Sequence, residues 1–166
     1  MKNKDLTFSA LLIALGTITG HLIYIPVGVA KAFPVQHLIN VLSAVLLGPA
    51  YAVWNAFAIS LLRNVLGTGS LLAFPGSIIG ALLASLFFKV KKSSFSAVLG
   101  EVIGTGLLGA LAAYPIAKYL LGSSSAVFFF VIPFSVSSIG GALIAYFFLE
   151  IAAETEFLEA LKENNS

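Results

Sequence analysis

The segment FPVQHLINVLSAVLLGPAYAVWNAFAISLLRNVLGTGSLLAFPG, residues 33–76, decides the fold. Its apolar run is interrupted by Gln36, His37, Asn40, Asn55, Arg63 and Asn64, and it is punctuated by Pro34, Gly48-Pro49 and Pro75. Amide and charged side chains are costly against acyl chains unless they face protein or a water-filled cavity. If the helices of this segment cross a bilayer, these groups line an interior site. Gln36 and Asn40 stand four residues apart and His37 and Asn40 three apart, so all three project from one side of a helix. Ser43 continues that stripe.

The rest of the chain supports the bilayer. Of 166 residues, 59% are hydrophobic and only 10% charged, and the mean hydropathy of +1.03 lies far outside the range of soluble domains. Apolar runs consume nearly the whole length, which leaves no room for a nucleotide-binding domain. The formal charge of +2 implies no nucleic-acid surface. The absence of cysteine excludes disulfides and thiolate metal sites, and no metal site is expected. Six runs approach the roughly 20 residues that a spanning helix needs: residues 6–25, 34–48, 49–66, 74–88, 95–121 and a last span from the 122–125 turn to Glu150. The expected architecture is all-α, a polytopic membrane protein with one six-helix domain over 1–152 and a short amphipathic or disordered tail over 153–166. Residues 1–5 resemble the charged start of a signal peptide, but the following run is long enough to span and is expected to remain as the first helix.

Six spans place both termini on one side. Lys2, Lys4, Lys89, Lys91, Lys92 and Lys162 fall on that side, and Lys31, Arg63 and Lys118 fall opposite, so the positive-inside rule makes both termini cytoplasmic. Gln36, His37, Asn40, Arg63, Asn64, Tyr114 and Lys118 then share the outer half of the membrane. His37, Asn40, Asn64 and Tyr114 are expected in one outward cavity, with the connection from Pro26 to Pro34 as its lid and Gly28 as a hinge. Phe74, with Phe33 and Tyr114, is expected to stack on a ligand ring. The bland reading makes the amides interhelical glue, His37 a packing residue and Arg63 a snorkelling one. Glu101 is the one carboxylate well inside a predicted span, and such a group is a functional candidate; its structural alternative is a hydrogen bond to Asn55. Thr105, one turn on, shares its face, so the pair can form the pocket floor. Gly104-Thr-Gly106-Leu-Leu-Gly109 matches a dinucleotide fingerprint but follows no strand, and packing explains it better.

The layout resembles the S component of an energy-coupling factor (ECF) vitamin transporter. Ala10-Leu-Leu-Ile-Ala14 resembles that family's AxxxA motif. More specific are Gln36-His-Leu-Ile-Asn40, Leu47-Gly-Pro49, Arg63-Asn-Val-Leu-Gly-Thr-Gly69, Ala73-Phe-Pro-Gly76 and Gly100-Glu-Val-Ile-Gly-Thr-Gly106, which together resemble the ThiW type. The resemblance implies a six-helix binding subunit in a prokaryotic plasma membrane that captures hydroxyethylthiazole, a thiamine precursor. It also implies a transmembrane coupling subunit that packs on Ala10 and Ala14. Two partner ATPases would use ATP, and this chain would carry no cofactor. The candidate ligand residues, Gln36, His37, Asn40, Arg63, Asn64, Phe74, Glu101, Thr105 and Tyr114, come from the depth argument. The alternatives are an S component for another small vitamin or precursor and an autonomous ion-coupled carrier with Glu101 as its ion site. An enzyme is not expected, because no HExxH motif and no activated nucleophile occur.

Overall fold

The computed structural model describes residues 3–20, 22–27, 30–124 and 126–153. These form six helices in the expected order, with one short hairpin added between the first two. They are α1 (Asn3–Thr19), β1 (Ile25–Val27), β2 (Ala30–Ala32), α2 (Pro34–Leu46), α3 (Pro49–Val65), α4 (Ala73–Lys91), α5 (Ser94–Leu120) and α6 (Val131–Ala153). The last three helices are long and apolar enough to cross a membrane. The first three are shorter: α2, with 13 residues, rises about 20 Å against a hydrocarbon core of about 30 Å.

Local chemistry sets the boundaries. Pro34 and Pro49 occupy first turns, where their missing N–H costs nothing. Gly48 takes φ +80°, a conformation open to glycine, and so pivots α2 directly into α3. Helix α5 contains two wide, π-type turns, Val102–Gly109 and Ile116–Leu120. The first coincides with the glycines at 104, 106 and 109; the second follows Pro115, which has no amide to donate to the preceding turn.

Two expectations change. The first helix does not run to Ile25. It stops at Thr19, with Gly20 donating back to Gly16 O at 3.1 Å, and Ile25–Val27 and Ala30–Ala32 instead pair as antiparallel strands, Ile25 with Ala32, Pro26 with Lys31 and Val27 with Ala30. Hydropathy could not mark this break, because Ile25, Val27 and their neighbours are as apolar in a strand as in a helix. The last helix begins at Val131, not at the serine turn, and residues 127–130 precede it as turns. Gly28 and residues 154–166, including the acidic amphipathic stretch, lie outside the described residues.

The interior is small and polar while the exterior is large and apolar. Ala52, Ala56, Ala81, Ala84, Ala97, Ala110, Ala113, Ala142 and Ala145 are fully buried, whereas Leu22, Val65, Leu66, Leu120, Ile132, Phe147 and Ile151 are exposed. Close helix packing by small residues, with branched and aromatic chains left to lipid, is the membrane-protein solution. Helix α4 packs on α2, α3 and α5, and α2 packs on α6. The ends differ. Asn3, Leu46, Lys92, Ser94 and Ala153 surround a cleft of about 870 Å³ at the lysine-rich end. The hairpin, the α3–α4 loop and the start of α6 gather at the other.

The α4–α5 crossing provides a direct test. A Cβ on Gly104 would lie 2.7 Å from Gly80 Cα and 2.9 Å from Ile79 O, so backbone must move, whereas a Cβ on Gly140 meets only ordinary contacts at 3.6 Å or more. Gly104→Ala is expected to cost about 1–3 kcal/mol and Gly140→Ala to be nearly neutral. Thermal melts followed by Trp54, the one tryptophan, check this.

Candidate functional site

The polar residues of α2 tie it to three neighbouring helices, α3, α4 and α5. Gln36 Nε2 donates to Ser60 Oγ on α3 and to Ser77 Oγ on α4, both at 2.7 Å. Its Oε1 accepts Arg63 Nη1 at 2.7 Å. Asn40 Nδ2 donates to Ser77 O at 3.2 Å and to Glu101 Oε1 at 3.0 Å. His37 Nδ1 lies 2.7 Å from the same Oε1. Thr105 Oγ1 is 2.9 Å from Oε1 and 3.0 Å from Gly76 O. Glu101 and Asn40 are fully buried.

Glycine makes room for this centre. A Cβ on Gly80 would stand 2.8 Å from both Glu101 carboxylate oxygens and would collide with Thr105 Oγ1. Only a bare Cα at position 80 admits the carboxylate between α4 and α5. The alternative considered for Glu101, a bond to Asn55, is absent among the described residues. Asn55 instead accepts from Ser9 Oγ at 2.5 Å and donates to Ser43 Oγ at 2.9 Å. That separate cluster joins α1, α2 and α3; similar depth in sequence did not mean the same side of the bundle.

Toward the hairpin end, a cavity of about 260 Å³ opens above the Glu101 centre. Gln36, His37, Ser77 and Thr105 form one side, and Phe33, Phe129, Phe130 and Phe134 supply aromatic surface. Phe130 packs edge-on to Phe129 at 5.3 Å and against Phe134 at 6.2 Å. Phe134 lies over Gly76, where a Cβ would stand 2.9 Å from its ring. Arg63 and Lys31 are the cationic part of the lining, which includes no carboxylate among the described residues. Arg63 is buried and already engaged: Nη1 binds Gln36, Nη2 donates to Thr68 O at 3.1 Å, and the guanidinium lies 4.8 Å from the Phe33 ring centre.

The sequence candidates therefore separate into three groups. Gln36, His37, Arg63 and Thr105 line the cavity, and Asn40 and Glu101 support it from behind. Asn64, Phe74 and Tyr114 are outside its lining. Asn64 Nδ2 donates to Ser60 O and Ser70 O at 2.8 and 3.1 Å, which fastens the loop after α3. Phe74 packs on Phe57, which packs on Trp54. Tyr114 pairs with Lys118, whose Nζ is 5.7 Å from the ring centre. The expected single cavity for His37, Asn40, Asn64 and Tyr114 thus contains His37 alone of the four. Ala10 and Ala14 are both exposed on α1, one turn apart.

Sequence reasoning missed Phe129, Phe130, Pro133 and Ser137 as lining residues. Their signal was the triple phenylalanine at 128–130 just before Pro133, which marks a late helix start as well as it marks lipid-facing bulk. Ser137 accepts the Phe33 amide at 2.8 Å and so fastens the hairpin's exit to α6.

Among known proteins, the family described as thiamine-precursor transporter protein (ThiW) matches residues 6–155. No curated protein and no solved structure matches the chain.

The buried pair makes a stability prediction. Glu101→Leu leaves His37 Nδ1 and Asn40 Nδ2 without their partner, a loss expected to cost about 1–3 kcal/mol for each group. Adding His37→Leu should recover part of it, so the double variant falls short of the summed single effects by about 1 kcal/mol or more. Simple additivity in thermal or denaturant melts would mean that the two groups do not interact.

Proposed function

The chain belongs to the ThiW family of thiamine-precursor transporter proteins, and from that premise we propose that it is the substrate-capturing S component of an ECF importer for hydroxyethylthiazole. The family is one of transporters, not enzymes, so the protein is a membrane protein that handles a small molecule. In the proposed arrangement it is a multi-pass protein of a prokaryotic plasma membrane with both termini cytoplasmic. The lysine-rich end then faces the ATPases and the hairpin faces outward. A transmembrane coupling subunit packs on α1, and two ATPase subunits supply the energy.

The observation that carries the reading is the cavity at the hairpin end. Small-molecule sites are concave and mostly apolar with a few placed polar groups, commonly about 300–1,000 Å³. At about 260 Å³ this one suits a single small ring more than a two-ring vitamin. Its phenylalanines offer faces for a heteroaromatic ring, and Gln36, His37, Thr105 and Ser137 place polar groups beside them. The hairpin contributes Lys31 to the lining and leads into Phe33, the position of a lid over the ligand.

Arg63 tests the neutral ligand. Both of its terminal nitrogens serve Gln36 and Thr68, so its role is to hold the α3–α4 loop. Calorimetry should show hydroxyethylthiazole binding more tightly than its phosphate, and Arg63→Gln should weaken the alcohol by less than about tenfold, or roughly 1.4 kcal/mol. A preference for the phosphate that disappears in Arg63→Gln would contradict the alcohol.

The α1 face tests the partner. Ala10→Trp or Ala14→Trp should leave ligand affinity unchanged while abolishing co-purification with the coupling subunit and cellular uptake, because close helix contact has no room for indole. Intact assembly with lost ligand binding would contradict this assignment.

A further inference from the structure

We propose that residues 154–166 dock on their own subunit, with the apolar side of the segment seated in the cleft at the lysine-rich end. This docking needs neither the thiazole nor the hairpin-end cavity.

Helix α1 packs mainly on α2 and α3. A space of about 870 Å³ is bordered by its first turns and by the ends of α2, α4 and α6. Phe8, Leu11, Leu46, Phe88 and Leu149 give it apolar walls, and covering such a surface is favourable. The exposed Lys4 and Lys92 also border it, with Asp5 as the one carboxylate among the described lining residues. The exposed Lys89 and Lys91 stand in the last turn of α4, just before Lys92.

Continuity, pattern and charge together name the occupant. Ala153, where the described part of α6 ends, lines the cleft, and so does Leu149 one turn earlier. The segment therefore sets out from the cleft wall. Four further residues reach Phe157, a span of up to about 13 Å when extended, so its apolar positions are within range of the walls. In helical register Phe157, Leu158 and Leu161 share one side, and Glu156, Glu159 and Glu163 share the other.

That charge pattern disfavours the bilayer surface. Helices that lie on lipid carry lysine and arginine on the polar face, whereas this segment has four glutamates against the single Lys162, and anionic headgroups repel it. The cleft offers the opposite sign through Lys4 and Lys92. Exposed ion pairs contribute little, so the apolar contacts hold the segment and the lysines set its direction. Leu11 lines the cleft and lies between Ala10 and Ala14 in sequence. A docked segment thus adjoins the α1 surface proposed for the coupling subunit.

The test uses the full chain in nanodiscs and its lack of cysteine. Thr7→Cys, at an exposed lining position, is combined with Ala160→Cys, and the control pairs Ala160→Cys with Val90→Cys, exposed on α4 and outside the lining. A short bifunctional maleimide should join the cleft pair within one chain on the order of tenfold faster than the control, because docking raises the local concentration of the two thiols. Adding Phe157→Ser and Leu161→Ser should abolish the difference. Equal rates for the two pairs would overturn the proposal. So would faster reaction at Val90, which places the segment on the lipid side, or products that join two chains, which place a second copy in the cleft. A preference for Thr7 that survives the double serine substitution would also overturn it.

Discussion

A single carboxylate oxygen, Glu101 Oε1, governs the arrangement of the bundle. Three side chains converge on it: His37 and Asn40 from α2, and Thr105 from the next turn of α5. Asn40 and Thr105 also reach backbone carbonyls of α4. An ionisable group at this depth is unfavourable unless such partners surround it, so α2, α4 and α5 must meet in one register. Gly80 and Gly104 permit the approach, and the wide turns of α5 begin immediately after the glutamate.

That constraint places the cavity. With Glu101 fixed, His37 and Thr105 stand on its hairpin side, and Gln36 continues the network to Ser60, Ser77 and Arg63. Arg63 then secures the α3–α4 loop through Thr68, and Phe33 lies against its guanidinium. The result is a stiff polar frame on one side of a small space. The aromatic side takes Phe129, Phe130 and Phe134 from the irregular approach to α6 and its first turn.

Much of this was legible in the sequence. Hydropathy and proline placement gave six helices, and the amides, histidine and arginine of residues 36–64 marked the helices that enclose polar space. Helical spacing also paired Glu101 with Thr105. What failed was inference from depth alone: Asn55, Asn64 and Tyr114 occupy suitable levels but point into other contacts, because depth does not fix rotation about a helix axis. The hairpin escaped notice since its three-residue strands are too short for a period-two pattern. Phe129 and Phe130 read as the start of a span, and only the turn that delays α6 brings them to the cavity.

In the proposed complex a thiazole occupies the space between the Phe134 ring and His37. The chain helps its own test, for it contains one methionine and no cysteine. Long-wavelength anomalous diffraction from crystals grown with hydroxyethylthiazole would therefore locate the ligand's sulfur against almost no background. One sulfur peak is expected inside the hairpin-end cavity, within contact of Phe134 and on the opposite side of His37 from Glu101. A ligand peak in the lysine-end cleft, or on the lipid-facing surface with that cavity empty, would contradict it.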